Sequence, residues 1–322
     1  MAPANPRPRI ATVTLNPALD LTIPLPRLAR GEVNRAGAAE LRPAGKGVNV
    51  SVMLGVLGEA SLATGLLGGA DVPAFTEFLG GLGIATDFVA VPGRCRINVK
   101  LVETGTGEVT DINPPGAATP EGALEAVAGK LAHGPGLAVL AGSLPPGLDA
   151  GAWAWLAGRL HGQGTRVVLD SSGPALAAAL AAPRAARPVL VKPNRDELSA
   201  LLGRALPDRA ALVAAARELQ GQGIEHVVVS AGGEGALFAL PGATLWVTPP
   251  RVRLTTTVGA GDAMVAGLTA ALARGLEPEA TARLATGCAA AAVSRPVAAA
   301  GEGRPELAEI ARLAEAAHAE RL

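Results

Sequence analysis

From residue 136 onward, short apolar runs rich in β-branched residues alternate with longer alanine- and leucine-rich segments of helical period. Continuous apolar runs of this length are typical of buried parallel strands, and the periodic segments predict helices. We expect strands at 136–141, 165–170, 188–191 and 224–230. We expect helices at about 150–161, 174–182, 195–202 and 208–220. The alternation predicts βαβ units in an α/β fold with a mostly parallel, doubly wound sheet.

The two ends of the chain extend this pattern. Near the N-terminus we expect strands at 9–15 and 61–67 and helices at 48–57 and 72–82. After the β-branched run at 253–258 the chain is predicted to be helical, at about 260–273, 277–293 and 305–320. All of these segments belong to one predicted α/β core.

Two segments do not fit the α/β rhythm. Residues 21–42 are interrupted by Pro24 and Pro26, and residues 96–112 alternate polar and apolar side chains like half-exposed antiparallel strands. They predict a small β-sheet appendage over one end of the main sheet. The expected division is a core of 9–20, 43–93 and 114–322 and a β lid of 21–42 and 94–113.

Charge and cysteine content exclude several classes of partner. Lys plus Arg and Asp plus Glu are 28 each, so the formal net charge is 0 and no broad basic field attracts nucleic acid or an anionic membrane. The two cysteines, Cys95 and Cys288, provide neither a disulfide framework nor metal-ligand spacing. Neither an apolar signal segment nor a membrane span is recognisable, so we expect a cytoplasmic protein.

Lysine and asparagine are scarce in this alanine- and arginine-rich chain. It has 4 Lys against 24 Arg, and 7 Asn. Lys46, Lys100 and Lys192 all lie in the motifs described next, as does Asn194. The positions of these residues are therefore informative.

A glycine-rich segment, Val258-Gly259-Ala260-Gly261-Asp262, leads from a β-branched run into the predicted helix at 260–273. Small residues let a ligand approach the backbone, and free N–H groups at a helix N-terminus attract phosphate. The carboxylate of Asp262 could accept a proton from a hydroxyl group. Alternatively, Asp262 caps the helix and the glycines only form a turn.

The segment Lys192-Pro193-Asn194 follows the predicted strand at 188–191, at the sheet edge where α/β proteins bind ligands. Asn194 with Glu197 three residues later predicts a helix capping box. The same two side chains could hold the water shell of Mg²⁺ beside a triphosphate. Without other motifs, the capping box is the favoured interpretation.

Gly45-Lys46-Gly47 opens the predicted helix at 48–57, with Asn49 one turn after Lys46. No Ser or Thr follows Lys46, so the segment is not a P-loop. Lys46 and Asn49 could bind a phosphate or sugar hydroxyls. A solvated lysine at a glycine-assisted helix start is the alternative.

Arg96, Asn98 and Lys100 share one face of a predicted strand. Such a face is usually solvated, but it becomes a phosphate and hydroxyl clamp if the strand closes over a site. Asp20 could accept hydrogen bonds from sugar hydroxyls or occupy an ordinary turn. The segment from Ser230 to Gly235 joins two predicted strands as either a hairpin or a nucleotide-phosphate loop.

In their order along the chain, these motifs resemble the phosphofructokinase B (ribokinase-like) family of sugar kinases. The resemblance also includes Asn16-Pro17 and the segment Gly142-Ser143-Leu144-Pro145-Pro146-Gly147, and it covers essentially the whole chain. It implies a ribokinase-like αβα sandwich, with a Rossmann-like, mostly parallel sheet and a small β-sheet lid. In this family the lid often serves as a dimer clasp, so a homodimer through the lid is expected.

The resemblance also implies roles for individual residues. By the family pattern Asp262 is the catalytic base, and Gly259, Ala260 and Gly261 form the anion hole. The positions that bind the sugar phosphate are Asp20, Gly45, Lys46, Asn49, Arg96, Asn98 and Ser143. The positions on the ATP side are Lys192, Asn194, Glu197, Ser230, Gly232, Gly235, Thr257, Gly259 and Gly261. Asn194 and Glu197 would hold Mg²⁺ through water.

Within the family, residues 30–34, 44–47, 96–100 and 109–113 look most like members that phosphorylate the C6 hydroxyl of fructose 1-phosphate with ATP. The existing 1-phosphate is then expected among Lys46, Asn49 and Arg96. Kinases for tagatose 6-phosphate or fructose 6-phosphate are the neighbouring alternatives. A non-catalytic sugar-phosphate sensor is the alternative from another class, although a sensor has no need of a base at Asp262. The lack of a G-x-G-x-x-G motif disfavours a dinucleotide oxidoreductase.

Overall fold

A computed structural model describes residues 9–255, 258–294 and 304–322 of the chain. The described strands are β1 (Ile10–Thr14), β2 (Ala18–Leu25), β3 (Glu40–Ala44), β4 (Ser61–Gly68), β5 (Ala85–Val91), β6 (Arg96–Glu103), β7 (Val109–Ile112), β8 (Leu137–Ala141), β9 (Arg166–Asp170), β10 (Leu190–Val191), β11 (His226–Ser230), β12 (Ala236–Leu240), β13 (Ala243–Thr248) and β14 (His318–Arg321). The described helices are α1 (Lys46–Val56), α2 (Val72–Gly80), α3 (Ala123–Lys130), α4 (Ala152–His161), α5 (Gly173–Ala181), α6 (Arg195–Leu202), α7 (Arg209–Gly221), α8 (Ala260–Arg274), α9 (Pro278–Val293) and α10 (Leu307–Ala316).

The larger sheet contains ten strands in the order β5-β4-β1-β8-β9-β10-β11-β12-β13-β14. Neighbouring strands from β5 to β11 are parallel, and those from β11 to β14 are antiparallel. This arrangement confirms the predicted α/β fold with a mostly parallel sheet. Because the carboxyl ends of parallel strands lie at one edge, the residues after β1, β8, β9 and β10 come together there.

Both faces of this sheet are covered by helices. All five residues of β8 are buried, and successive side chains point to opposite faces. Ala138 and Leu140 join a cluster completed by residues of α3 to α7, whereas Leu137 and Val139 join one completed by α1, α8, α9 and α10. A strand buried on both faces needs a continuous apolar sequence, which explains the runs from which the sheet was predicted.

The second sheet has four strands in the order β3-β2-β6-β7. Strands β2 and β6 are parallel, with Asp20 opposite Asn98, and both outer pairs are antiparallel. In an ordinary surface sheet the apolar face is buried and the polar face is exposed. In this sheet the burial of the two faces is reversed. Lys100 on its polar face is 5% exposed, whereas Leu41 and Ile112 on its apolar face are 51% and 53% exposed. The exact division between core and lid remains a prediction.

The C-terminal segment differs from its prediction. The helix predicted at 305–320 ends at Ala316, and residues 318–321 form β14 at the edge of the main sheet. The sequence His-Ala-Glu-Arg has no β-branched or aromatic residue, so backbone pairing with β13 determines this strand rather than local preference. Strand β5, which was not predicted, is a half-exposed edge strand whose continuous apolar run is limited to the four residues 88–91. None of the helices in the described part of the chain is both long and apolar enough to cross a membrane.

Candidate active site

The start of α8 is formed by small residues and has no side-chain cap. Gly259 is the N-cap residue with a φ of 81°, a left-handed conformation that favours glycine, and no side chain caps the helix. Ala260 and Gly261 form the first turn, so their backbone N–H groups have no partner within the helix. Asp262 follows in the same turn without capping it, and the capping interpretation of Asp262 is therefore wrong. The turn has the features of an anion hole.

Asp262 is held by the start of α1. It is 7% exposed, and its Oδ2 accepts a hydrogen bond from Asn49 Nδ2 at 2.7 Å. Burial raises the pKa of Asp262 to about 6; Asp170 adds to this effect, while Lys46, Asn49 and Lys192 oppose it. A carboxylate whose pKa approaches neutrality is suited to general-base catalysis.

A second buried carboxylate, Asp170, lies at the end of β9, and the sequence analysis missed it. It is 2% exposed and contacts Lys46 Nζ at 3.2 Å and Lys192 Nζ at 3.4 Å. Burial opposes ionisation of Asp170, but Lys192 and Lys46 outweigh burial and hold its pKa below the usual value. An aspartate as the last residue of a buried strand was the available signal, since Val191 pairs with Leu169 and Lys192 therefore lies at the same level of the sheet as Asp170.

Lys192 stands beside the anion hole. Its side chain is 6% exposed, and a Cβ atom added to Gly261 would lie 3.3 Å from Lys192 Nζ. The ammonium group thus adds positive charge where the N-terminus of α8 already provides it. Lys46 is also paired with Asp170, but its side chain is 41% exposed.

The predicted capping box at α6 is confirmed. Asn194 Oδ1 accepts from the Glu197 backbone N–H, and Glu197 Oε2 accepts from the Asn194 backbone N–H, both at 2.8 Å. A backbone bond of 3.1 Å from Ser230 to Pro193 joins this segment to the glycine turn that contains Gly232 and Gly235. The predicted ATP-side residues other than Thr257 therefore lie on two neighbouring segments and at the start of α8. Thr257 itself lies outside the described residues.

A second polar cluster lies under the lid. Asp20 accepts hydrogen bonds from Asn98 Nδ2 at 3.0 Å and from Lys100 Nζ. Lys100 was predicted only as part of the polar strand face that it shares with Arg96 and Asn98, and its pairing with Asp20 was not predicted. Its ammonium group compensates the charge of Asp20 inside the lid.

The remaining lid-side residues join the lid to the core. Arg96 donates to the backbone oxygens of Asn16 and Pro114, at 3.3 and 3.2 Å, and Asn16 Nδ2 donates to Ser143 Oγ at 3.1 Å. Gly45, which caps α1 with a φ of 139°, has no room for a Cβ atom against Thr14. The structure does not group Arg96 with Lys46 and Asn49, because those two side chains contact the buried carboxylates instead.

No group of three or more His, Cys, Asp or Glu side chains in the described ranges could hold a metal ion by itself. A divalent ion bound here would need oxygen ligands from water and phosphate, which is the usual coordination of Mg²⁺. Glu197 retains Oε1 for such a ligand, since the capping box uses Oε2.

Comparisons with known proteins agree with this geometry. Residues 13–302 match the model of the pfkB family carbohydrate kinases. The 1-phosphofructokinase of Xanthomonas campestris is 48% identical over 279 residues, which are 85% of this chain and 88% of the relative. The 1-phosphofructokinase of Escherichia coli K12 is 44% identical over 290 residues, 89% of this chain and 91% of the relative.

A solved structure gives the same result for the fold. The crystal structure of phosphofructokinase-2 from Escherichia coli in complex with fructose-6-phosphate has a TM-score of 0.87 and 31% sequence identity to this chain. The similarity covers 96% of this chain and 98% of that one. Its fold and sequence together show that the chain belongs to the pfkB family of carbohydrate kinases.

Proposed function

We propose that this chain transfers the γ-phosphoryl group of ATP to the C6 hydroxyl of fructose 1-phosphate, yielding fructose 1,6-bisphosphate and ADP. The observation that carries the proposal is the buried Asp262 in the first turn of α8, with Lys192 beside Gly261. A base and a cationic anion hole next to each other are what phosphoryl transfer to an alcohol requires. The choice of sugar follows the relatives at 48% and 44% identity, both of which are 1-phosphofructokinases.

In the proposed reaction the C6 oxygen attacks the γ-phosphorus while Asp262 accepts the hydroxyl proton. The bond between the γ-phosphorus and the bridging oxygen breaks, and ADP leaves with that oxygen. Asn49 Nδ2 donates a hydrogen bond to Oδ2 of Asp262, and we assign Oδ1 to the substrate hydroxyl. The N–H groups of Gly259, Ala260 and Gly261, together with Lys192, stabilise the charge on the transferred group.

The nucleotide side supplies ligands for phosphates and for Mg²⁺. Asn194 and Glu197 would hold the ion through water, and Ser230, Gly232 and Gly235 would lie along the phosphates. When bound, Mg²⁺ neutralises charge on the phosphate oxygens. The glycine turn supports this assignment because Gly232 and Gly233 present exposed backbone without side chains.

On the lid side, Asp20 would accept hydrogen bonds from sugar hydroxyls and Arg96 would bind the 1-phosphate. We place this phosphate at Arg96 and away from Lys46 and Asn49, because those two residues lie with the reacting carboxylates. A pocket lined by Asn16, Arg94, Arg96 and Thr119 supports this placement. Asn98 and Ser143 would complete the sugar site through Asp20 and Asn16.

We also propose that the protein is a cytoplasmic homodimer that associates through the lid. The exposed apolar face of the lid sheet supports this, since an apolar face of that kind needs a cover. The reversed burial of the two faces of the lid sheet fits two separate roles. The polar face closes the sugar site, and the apolar face meets the second protomer.

The proposed reaction is tested by measuring ADP release with ATP and Mg²⁺ and three acceptors: fructose 1-phosphate, fructose 6-phosphate and tagatose 6-phosphate. We expect the highest kcat/KM with fructose 1-phosphate. A higher kcat/KM with either 6-phosphate would overturn the choice of sugar but retain the kinase. Tight sugar-phosphate binding without ADP release would identify a sensor instead.

A further inference from the structure

The two segments proposed to bind ATP are neighbours at the edge of the main sheet. One follows β10 and contains Asn194, and the other follows β11 and spans residues 230–235. Backbone contacts join them at their bases, through the Ser230–Pro193 bond and an isolated parallel bridge between Asn194 and Ser230. Their outer ends are joined by side chains.

Arg195 and Glu234 form a two-pronged ion pair between these ends. Arg195 Nη1 donates to Glu234 Oε1 at 3.0 Å, and Nη2 donates to Oε2 at 2.8 Å. The hydrogen bond from Arg195 is the first cause of a lowered pKa of Glu234. Two parallel bonds between planar groups fix orientation as well as distance, which a single lysine contact does not.

The turn that carries Glu234 is closed at its base by a 2.9 Å bond from the Ala231 N–H to the Gly235 oxygen, but its tip at residues 232–234 is weakly held. Gly232 and Gly235 adopt left-handed φ values of 58° and 124°, and Gly232 and Gly233 have no atom within 4 Å of an added Cβ. The bonds that Glu234 and Gly235 donate within the turn are long, at 3.2 and 3.3 Å. Glycine loses more conformational freedom on ordering than any other residue, so a free turn of this composition is costly to order.

Arg195 belongs to a much firmer element. It is the first residue of α6, directly after the capping box formed by Asn194 and Glu197. The Arg195–Glu234 pair therefore joins the tip of the glycine turn to the capped start of α6. Both partners are at the surface, and Glu234 is the more exposed, with 62% of its side chain accessible.

We propose that Arg195 and Glu234 are positioning residues for the nucleotide: they hold the glycine turn against the start of α6 before the nucleotide binds. This inference rests on the proposed function for the identity of the ligand. A turn that is already ordered saves the entropy cost of ordering it in the complex, so the pair strengthens binding of both ATP and ADP. It leaves the chemical step and the sugar site unchanged.

The test is a double-mutant cycle of R195Q, E234Q and the double variant. ADP affinity is measured by isothermal titration calorimetry, and kcat and both KM values are measured with ATP and the sugar phosphate. We expect each single variant and the double variant to weaken ADP binding by the same factor of about 2 to 5, the range for an exposed pair. kcat and the KM for the sugar phosphate should not change.

A matched control is the Arg204–Glu218 pair, at 2.5 Å, which is also at the surface but does not join the two ATP segments. E218Q should leave ADP affinity unchanged. Wild-type affinity in E234Q would overturn the inference, and so would additive losses in the double variant, because they would indicate independent contacts with the nucleotide. Since calorimetry needs no turnover, a wild-type protein that does not bind ADP would instead contradict the proposed function.

Discussion

Asp262 is buried, although its proposed role as the general base requires a negative charge. Its carboxylate is 7% exposed, and burial is the main cause of its raised pKa. Lys46, Asn49 and Lys192 work against burial and keep the pKa at about 6. As the proposed base, Asp262 would be ionised at neutral pH yet basic enough to accept a hydroxyl proton.

Asp262→Asn should therefore remove turnover and stabilise the fold. Its pKa is raised from 3.8 to about 6 on folding, so stability is lost as the pH rises through that interval. At pH 7.5 the ionised group costs up to about 3 kcal/mol, which the variant recovers. We expect a higher Tm than wild type at pH 7.5, and kcat lower by about 10²- to 10⁴-fold.

The pH dependence provides the control for this prediction. Below about pH 4 Asp262 is neutral in both folded and unfolded chains, so the Tm difference from the variant should shrink there. The wild-type kcat/KM should fall on the acid side with a midpoint near pH 6. Near wild-type turnover in the variant would contradict the role of Asp262.

Individual residues were predictable where their type was scarce. Lys46 and Lys192 drew attention because the chain has 4 lysines, and both contact the site carboxylate Asp170. Asp170 itself was not predicted, because its importance depends on where β9 lies between the two lysines. Lys100 was placed on the predicted polar strand face, but its ion pair with Asp20 was not predicted, because Asp20 is on another strand.

At the scale of elements, the loop between β5 and β6 is held in place by residues at and just after the end of β4. Asp71, 5% exposed, accepts the backbone N–H of Cys95 at 2.7 Å through Oδ2. A Cβ atom added to Gly68 would lie 2.3 Å from the carbonyl carbon of Arg94. Arg96, the proposed phosphate ligand, is the next residue and begins β6, so Asp71 fixes the point from which it extends.

Asp71→Ala should raise the KM for the sugar phosphate by about fivefold or more while leaving the KM for ATP unchanged, because it frees the loop beside Arg96. The variant also leaves a buried N–H without its acceptor, at a cost of about 1–3 kcal/mol in unfolding free energy. Asp71→Asn, which keeps an acceptor oxygen, should restore most of the KM. Equal increases in both KM values would indicate general loosening and would contradict the prediction.

Elements with their own sequence signal were predicted, and those without it were not. The α6 start follows from Asn194 and Glu197 alone, because both partners of the capping box are local. Strand β14 could not be predicted from residues 318–321, since its partner β13 lies about 70 residues earlier and supplies only backbone groups. Long-range pairing of this kind leaves no local periodicity.

At the scale of the whole molecule, the proposed dimer depends on the lid. Its apolar face exposes Leu41, Ile97 and Ile112 by 51%, 42% and 53%. The alternating pattern predicted a two-faced sheet, but it could not show that the polar face is the covered one. That follows from how the sheet docks on the core, where Arg96 on the polar face donates to the backbone oxygens of Asn16 and Pro114.

Ile97→Glu should convert the proposed dimer into a monomer, because a charge in the centre of an apolar interface cannot be desolvated without a partner. Light scattering coupled to size exclusion measures the mass directly. Leu276→Glu is the matched control, since Leu276 is 37% exposed and follows the far end of α8. A wild-type protein with monomer mass, or dimer mass in the Ile97 variant, would contradict association through the lid.

The scarcity of lysine has a practical consequence for chemical labelling. Of the 4 lysine side chains, Lys100 and Lys192 are 7% and 6% exposed, and Lys46 and Lys130 are 41% and 37% exposed. An amine-directed reagent, which on most proteins modifies the general surface, has two accessible side-chain targets here. One of them, Lys46, contacts the active-site carboxylate Asp170. Protection of Lys46 from acylation by bound substrate would therefore report occupancy of the proposed site, with Lys130 as the internal reference for labelling away from it.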